Sequence, residues 1–219
     1  EELRAAVELL LKTREERYAR RIRELWPVID SRFGMHAATA IRAMPYMDED
    51  YAKRLRKRAA AYRKEASKIL QENPFGVPIT RGGWAGNGTV MHFATAAYYL
   101  HTAFPDLFDG EATLRGLEYL YGRHPGSNVS FVSGVGVHSK TVAYGMNRAD
   151  FSFIAGGVVP GVLIIEPDFP ENKEDWPFMW GQNEYVINVA AGYIFLVHAA
   201  DELLNGRPAD PVSRSTGTG

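Results

Sequence analysis

Residues 183–204 read NEYVINVAAGYIFLVHAADELL, and this stretch decides the fold class. Asn183 is a residue type that caps helices, and the residues after it form a nearly all-round apolar helix reaching Leu204. A helix apolar on every side belongs inside a bundle. The run from Val186 to Ala200 is interrupted by Asn188 and His198 and is shorter than the roughly 20 residues that cross a bilayer, so a buried helix is expected and no membrane is expected as partner. At the start of this helix, directly after its cap, stands Glu184.

The same period recurs upstream along the chain. Leu3, Val7, Leu10 and Leu11 share one face of a charged helix over residues 1–30, and Ile22, Leu25 and Trp26 continue the stripe until Pro27 weakens it. A short apolar helix follows over 34–44. Asp48 caps a long one reaching Gln71, with Tyr51, Leu55 and Tyr62 inward and its Lys and Arg residues on a solvated face. Asn73-Pro74 ends it. Thr89 and Asp109 are read as caps of helices over 90–104 and 110–121. From Gly122 to Gln182 no helical period is sustained, and Gly, Pro, Ser and aromatic residues fill a stretch with one strand-like run at 162–165. A long irregular stretch inside a compact chain is usually functional. Helix pairs separated by such loops are what a helical toroid would show.

The 219 residues suit one domain, or at most two small ones. With 46% apolar residues, 23% charged residues and a net charge of −1, the chain is neither a disordered polymer nor a polyanion binder, so nucleic acid is not expected as a partner. There is no cysteine, which excludes disulfides, thiolate nucleophiles and Cys-bound zinc. The chain opens at Glu1 and Glu2 inside a helix, without Met or a leader-like segment, and reads as part of a longer product.

HExxH, GxSxG, Walker and EF-hand patterns do not occur. His92, His101 and His198 fall within apolar helices and read as hydrogen-bonded core or pocket-wall groups, whereas His124 and His138 lie in the long loop and are candidates for substrate contact. Most carboxylates between Glu166 and Asp175 read as a solvated acidic loop. Glu184 differs because Trp180 and Tyr185 flank it. Burial among aromatics favours the neutral form of a carboxyl, which a general acid needs near neutral pH, although a helix N-terminus favours the anion.

Five segments in order carry a likeness: Asn73-Pro74-Phe75-Gly76; Tyr119-Leu120-Tyr121-Gly122-Arg123-His124-Pro125-Gly126-Ser127-Asn128; Pro160-Gly161-Val162; Asp175-Trp176; and Asn183-Glu184-Tyr185-Val186-Ile187-Asn188. Together they resemble glycoside hydrolase family 9, the inverting cellulases and related β-glycosidases. The resemblance implies an all-α fold, about half of an (α/α)6 barrel over residues 1–204 with a flexible tail over 205–219, and a cleft lined by aromatics that stack on sugar rings. It implies that Glu184 is the general acid that protonates the leaving glycosidic oxygen. His138, Arg148, His124, Trp180, Tyr185 and Trp84 would contact substrate, with Glu184 projecting into a concave surface beside 127–148. No cofactor is implied; structural calcium, which some relatives carry, is the one metal it admits. The family favours a secreted or periplasmic location, which nothing in this chain addresses.

Two departures sharpen the reading. The consecutive His and Arg of classical cellulases are replaced by Asn147-Arg148-Ala149-Asp150, so the chain looks closer to the bacterial branch with exo-acting enzymes and a glucosaminidase. The Asp-Ala-Gly-Asp motif that holds the family's base is absent. An inverting enzyme needs two carboxyls about 6.5 to 9.5 Å apart, so the expected reaction, inverting hydrolysis of a cellulose-like β-1,4-glucan, requires a base from a missing N-terminal half or companion chain. Such a half-toroid leaves the inner faces of its helices without partners and should fold poorly alone. The alternatives are a non-catalytic carbohydrate-binding or scaffold half-barrel, an exo-acting β-glucosaminidase-type relative, and an unrelated helical domain.

Overall fold

Asp48 starts the longest helix. Its carboxylate accepts from the Tyr51 amide at 2.8 Å, Glu49 and Asp50 occupy the first turn where the dipole favours negative charge, and the helix runs over Glu49–Gln71 as the sequence predicts. The computed structural model describes residues 1–78, 86–123, 128–141, 153–161 and 184–206. Around this helix, α5, the described elements are α1 (Glu2–Thr13), α2 (Glu16–Glu24), α3 (Trp26–Ser31), α4 (Phe33–Ala43), a 3-10 turn at Met44–Tyr46, α6 (Gly86–Ala103), α7 (Glu111–Leu120) and α8 (Ile187–Asn205). Two short strands, β1 (Val129–Ser130) and β2 (His138–Ser139), pair in parallel.

The expected single helix over 1–30 is three. α1 ends because Arg14 turns left-handed at φ 62° and donates its amide to Leu10 O, and the second break falls at Leu25, which leaves Pro27 in the first turn of α3. Proline is tolerated there because a first-turn N–H has no helical acceptor anyway. Three expected caps also shift. α6 begins at Gly86, upstream of Thr89, and α7 begins at Glu111, whose amide bonds the Asp109 carboxylate at 3.1 Å. α8 begins at Ile187 with Val186 at its cap, so Glu184 precedes the helix.

Burial divides into two apolar clusters. One gathers α1 to α5 around residues such as Val7, Ile22, Phe33 and Leu55, all at most 1% exposed. The other gathers Val90, Met91 and Ala94 of α6, Tyr119 and Leu120 of α7, Val189 and Leu196 of α8, and four residues of the long loop. α6 packs on α4, α7 and α8 and joins the clusters, because Ala96 and Leu100 belong to the first.

The buried helix expected at 183–204 buries one side only. Val189, Leu196, Ala199 and Ala200 are covered, while Ile187, Ile194 and Leu204 are 89%, 59% and 70% exposed. By length and composition alone α8 would pass for a membrane span. Its last turns nevertheless carry Asp201 and Glu202, and Glu202 accepts from the Tyr98 hydroxyl at 2.6 Å. His198, expected in a core or pocket wall, is exposed on this helix, whereas His101 meets Phe108 O at 2.8 Å through Nδ1.

His92 faces the start of α4, and its Nε2 is buried without a partner. Burial and then the charge of Arg4 hold its imidazole below the ordinary 6.5, against the pull of the Met35 and Gly34 carbonyls. His36 is lowered too, by burial first and then by Arg4, the N-terminus, Arg32 and His92. Between the depressed folded values and 6.5 the unfolded chain binds more protons, so stability rises with pH. The expected result is full stability above pH 6.5 and a loss as pH falls through the folded values. Urea midpoints should fall as pH is lowered through this range for the parent chain, and fall less steeply in His92→Gln, which keeps only the His36 contribution.

Candidate functional site

The long loop leaves α7 through a close approach of backbone to backbone. Gly122 adopts φ +91°, and a Cβ there would lie 2.8 Å from the Val129 carbonyl carbon, so only glycine fits. Beyond it, residues 129–133 and 156–161 build a small hydrogen-bonded platform. The Phe131 amide donates to Leu120 O at 2.8 Å, Val159 N to Phe131 O at 3.1 Å, Ser133 N to Gly157 O at 2.9 Å and Gly156 N to Ser133 O at 2.8 Å. Phe131, Val132, Val158 and Val159 fill its underside at no more than 1% exposure.

The platform is also fixed to α6. The first two backbone amides of that helix, Gly86 and Asn87, donate to the Gly161 and Pro160 carbonyls at 2.6 and 2.7 Å, and Nδ2 of the fully buried Asn87 side chain donates to Val159 O at 2.8 Å. Helix amides with no helical acceptor are thus satisfied by the loop. Gly161 has φ +60°, and a Cβ on it would lie 2.6 Å from Asn87 Nδ2. Gly161→Ala is expected to cost about 1 to 3 kcal/mol from backbone strain alone, with a further loss as Asn87 is displaced. Chemical denaturation checks this, and an unchanged midpoint would show that the joint is slack.

Glu184 is half-buried in the segment that leads into α8. Its neighbour Tyr185 reaches the platform: the phenol oxygen lies 2.7 Å from Ser133 Oγ and accepts from the Ile154 amide at 3.3 Å. The ring lies where a side chain on Gly157 would be, 2.6 Å from the position of a Cβ. Val186 packs on the second cluster and its carbonyl accepts the Ala190 amide at 3.0 Å, the first bond of the helix.

His138 is exposed on β2, beside Val137, which is 90% exposed. Of the predicted site residues, the structure brings Tyr185 against Ser133 of the 127–148 segment, with Glu184 next to Tyr185 in the chain. Trp84, His124, Arg148 and Trp180 lie outside the described residues, as do Asn183, the acidic stretch 166–175, the strand-like run 162–165 and the tail from 207 onward. Sequence reasoning missed Ser133, Ile154 and Gly157 as partners of Tyr185. It also missed Asn87, whose one signal is its place between Gly86 and Gly88 at the head of an apolar helix. Lys140, 2% exposed beside β2, was missed too, because nothing in its sequence neighbourhood announces burial.

Two clefts of about 550 and 470 Å³ lie elsewhere, the larger between α5, α6 and α7 and the smaller around Asn73, Arg115 and Arg123. Neither touches Glu184, and the arginines of the smaller one already face Glu111 and Glu118. The chemistry is therefore argued from Glu184 and the platform. No cluster of metal-ligating side chains occurs among the described residues.

No protein-family model and no curated protein matches the sequence. Solved structures do match. A family 9 endoglucanase, J30, superposes with a TM-score of 0.69 at 23% identity over 88% of this chain and 40% of its own. A metagenome-derived family 9 endoglucanase gives 0.69 at 22% over 90% and 39%. The cellulase Cel9M of C. cellulolyticum, solved in complex with cellobiose, gives 0.63 at 17% over 91% and 50%. This chain has the fold of part of a family 9 glycoside hydrolase. The expected partial (α/α)6 architecture is what these superpositions return, and the chain spans about 40 to 50% of the length of the structures it matches.

Proposed function

We propose that the chain is the Glu184-bearing part of an inverting β-glycosidase that hydrolyses a cellulose-like β-1,4-glucan. The observation that carries this reading is the shared fold with family 9 endoglucanases over about nine-tenths of the chain, with Glu184 three residues ahead of a helix whose leading segment is bonded to the loop platform through Tyr185. In this reading Glu184 protonates the leaving oxygen while a carboxylate outside the chain activates water on the opposite face of the sugar. His138, together with Trp84, His124, Arg148 and Trp180, serves the sugar subsites, whereas the Tyr185 side chain, expected there too, is engaged by Ser133, Ile154 and Gly157. The exposed side of α8 fits a helix that faces further protein in the assembled barrel.

The test uses the polypeptide that includes residues 1–219 together with the half preceding them. NMR of a β-linked substrate during its first turnovers should show the α-anomer; a β-anomer formed first would overturn inversion. The missing Asp-Ala-Gly-Asp motif favours one other reading, a half-barrel that binds glucan without cleaving it. That reading predicts cello-oligosaccharide binding with no turnover in any assembly. Activity confined to terminal amino sugars would instead identify the exo-acting glucosaminidase type.

A further inference from the structure

We infer that Tyr185 is a positioning residue for Glu184, fastening the segment before α8 to the loop platform through its hydroxyl; the inference rests on the general-acid reading of Glu184. Glu184 precedes the first residue of α8, and Val186, at the cap position, has extended backbone at φ −128° and ψ 131° and no side-chain cap bond. Helical geometry therefore does not set the place of the carboxyl. A general acid must nonetheless be held close to its target, since misplacement by about 1 Å costs on the order of 100-fold.

The nearest fixed point is the Tyr185 side chain. Its oxygen accepts the Ile154 amide at 3.3 Å and shares a hydrogen bond of 2.7 Å with Ser133 Oγ, in which either hydroxyl can donate. Ser133 is fully buried, and its own amide and carbonyl are bonded to Gly157 O and Gly156 N, so the anchor is itself held on both sides. Gly157 completes the seat. A Cβ there would lie 2.6 Å from Tyr185 Cε1 and 2.9 Å from Ile154 O, so the ring can lie flat against the turn only because that residue has no side chain. Two groups from two loop segments thus converge on one hydroxyl, and Gly157 seats the ring. One peptide bond links that residue to Glu184, and peptide planarity passes the constraint on.

Two measurements test this. In the polypeptide that includes residues 1–219 together with the half preceding them, Tyr185→Phe keeps the ring and removes the tether. Amide exchange at 184–186 and at 154–157 should then rise about fivefold or more, the effect of one net hydrogen bond, with α5 unchanged. Unchanged exchange at 184–186 would overturn the inference, whatever the protein's activity. In the assembled enzyme, Tyr185→Phe should lower kcat on an unactivated glucoside by about 10 to 100-fold at constant KM, and an activated aryl glucoside should lose much less. Ser133→Ala should do the same, and the double variant should be no worse than either single one, because both remove one tether. Additive losses in the double variant, or equal losses on both substrates, would overturn the role. Glu184→Gln serves as the control: if it lacks leaving-group dependence the general-acid reading fails, while the exchange experiment still decides whether Tyr185 anchors the segment.

Discussion

Glu184→Gln in the assembled enzyme is expected to lower hydrolysis of an unactivated β-glucan by about 100 to 10,000-fold, the usual contribution of general acid catalysis. The amide keeps the size and shape of the carboxyl and removes its proton. A sugar alkoxide is a poor leaving group unless it is protonated as the bond breaks, so its departure should collapse. An aryl glycoside leaves as a stable phenolate and needs little help, so its rate should fall far less. The contrast separates chemistry from scaffolding, because a structural role would lower both rates together along with stability. Equal losses on the two substrates with a lowered melting temperature would overturn the assignment. The half-buried position of Glu184, ahead of α8, is compatible with a donor that must both meet substrate and be held still.

How much of this is legible in the sequence depends on how local the deciding forces are. α5 is legible to the residue, because Asp48 bonds the Tyr51 amide within its own turn and the apolar spacing of Tyr51, Leu55 and Tyr62 has only one helical face to occupy. The break at Arg14 is not, since a left-handed arginine carries none of the glycine signal by which such caps are recognised. α8 is legible as a helix but not at its start. Asn183 has the character of a cap, yet the helix does not begin until Ile187, because Tyr185 is drawn to Ser133 and Val186 to the second cluster, contacts between residues some fifty positions apart. The same helix is so uniformly apolar that its composition does not tell which side is covered, and His198 is accordingly expected in a core or pocket wall while it stands in solvent. The strands are beyond reach, because two residues are too few to show alternation. What the order of motifs does convey, the likeness to family 9, concerns the fold as a whole, and the superpositions agree with it at identities where only the fold can be inferred.

The stability of the site should depend most on Phe131. Its side chain is fully buried, its ring centroid lies 5.5 Å from that of Tyr119, which in turn meets Phe75 edge-on at 5.8 Å, and its backbone is bonded to both Leu120 and Val159. Phe131→Ala empties the centre of the second cluster while leaving the backbone bonds in place, and truncating a buried phenylalanine costs about 3 to 5 kcal/mol. Domains of this size have about 5 to 15 kcal/mol in all, so the variant should be marginal and its urea midpoint should drop steeply. Leu55→Ala makes the matching cavity in the first cluster, at about 2 to 5 kcal/mol, and is the reference for how the clusters communicate. Val90 and Met91 of α6 serve one cluster and Ala96 and Leu100 the other, so a helix that loses its second-cluster partners is weakened where it supports the first. Both variants should therefore unfold in a single transition by circular dichroism. A two-step curve for Phe131→Ala would show that the platform melts by itself, and an unshifted midpoint would show that Phe131 does not hold the segment on which Glu184 depends.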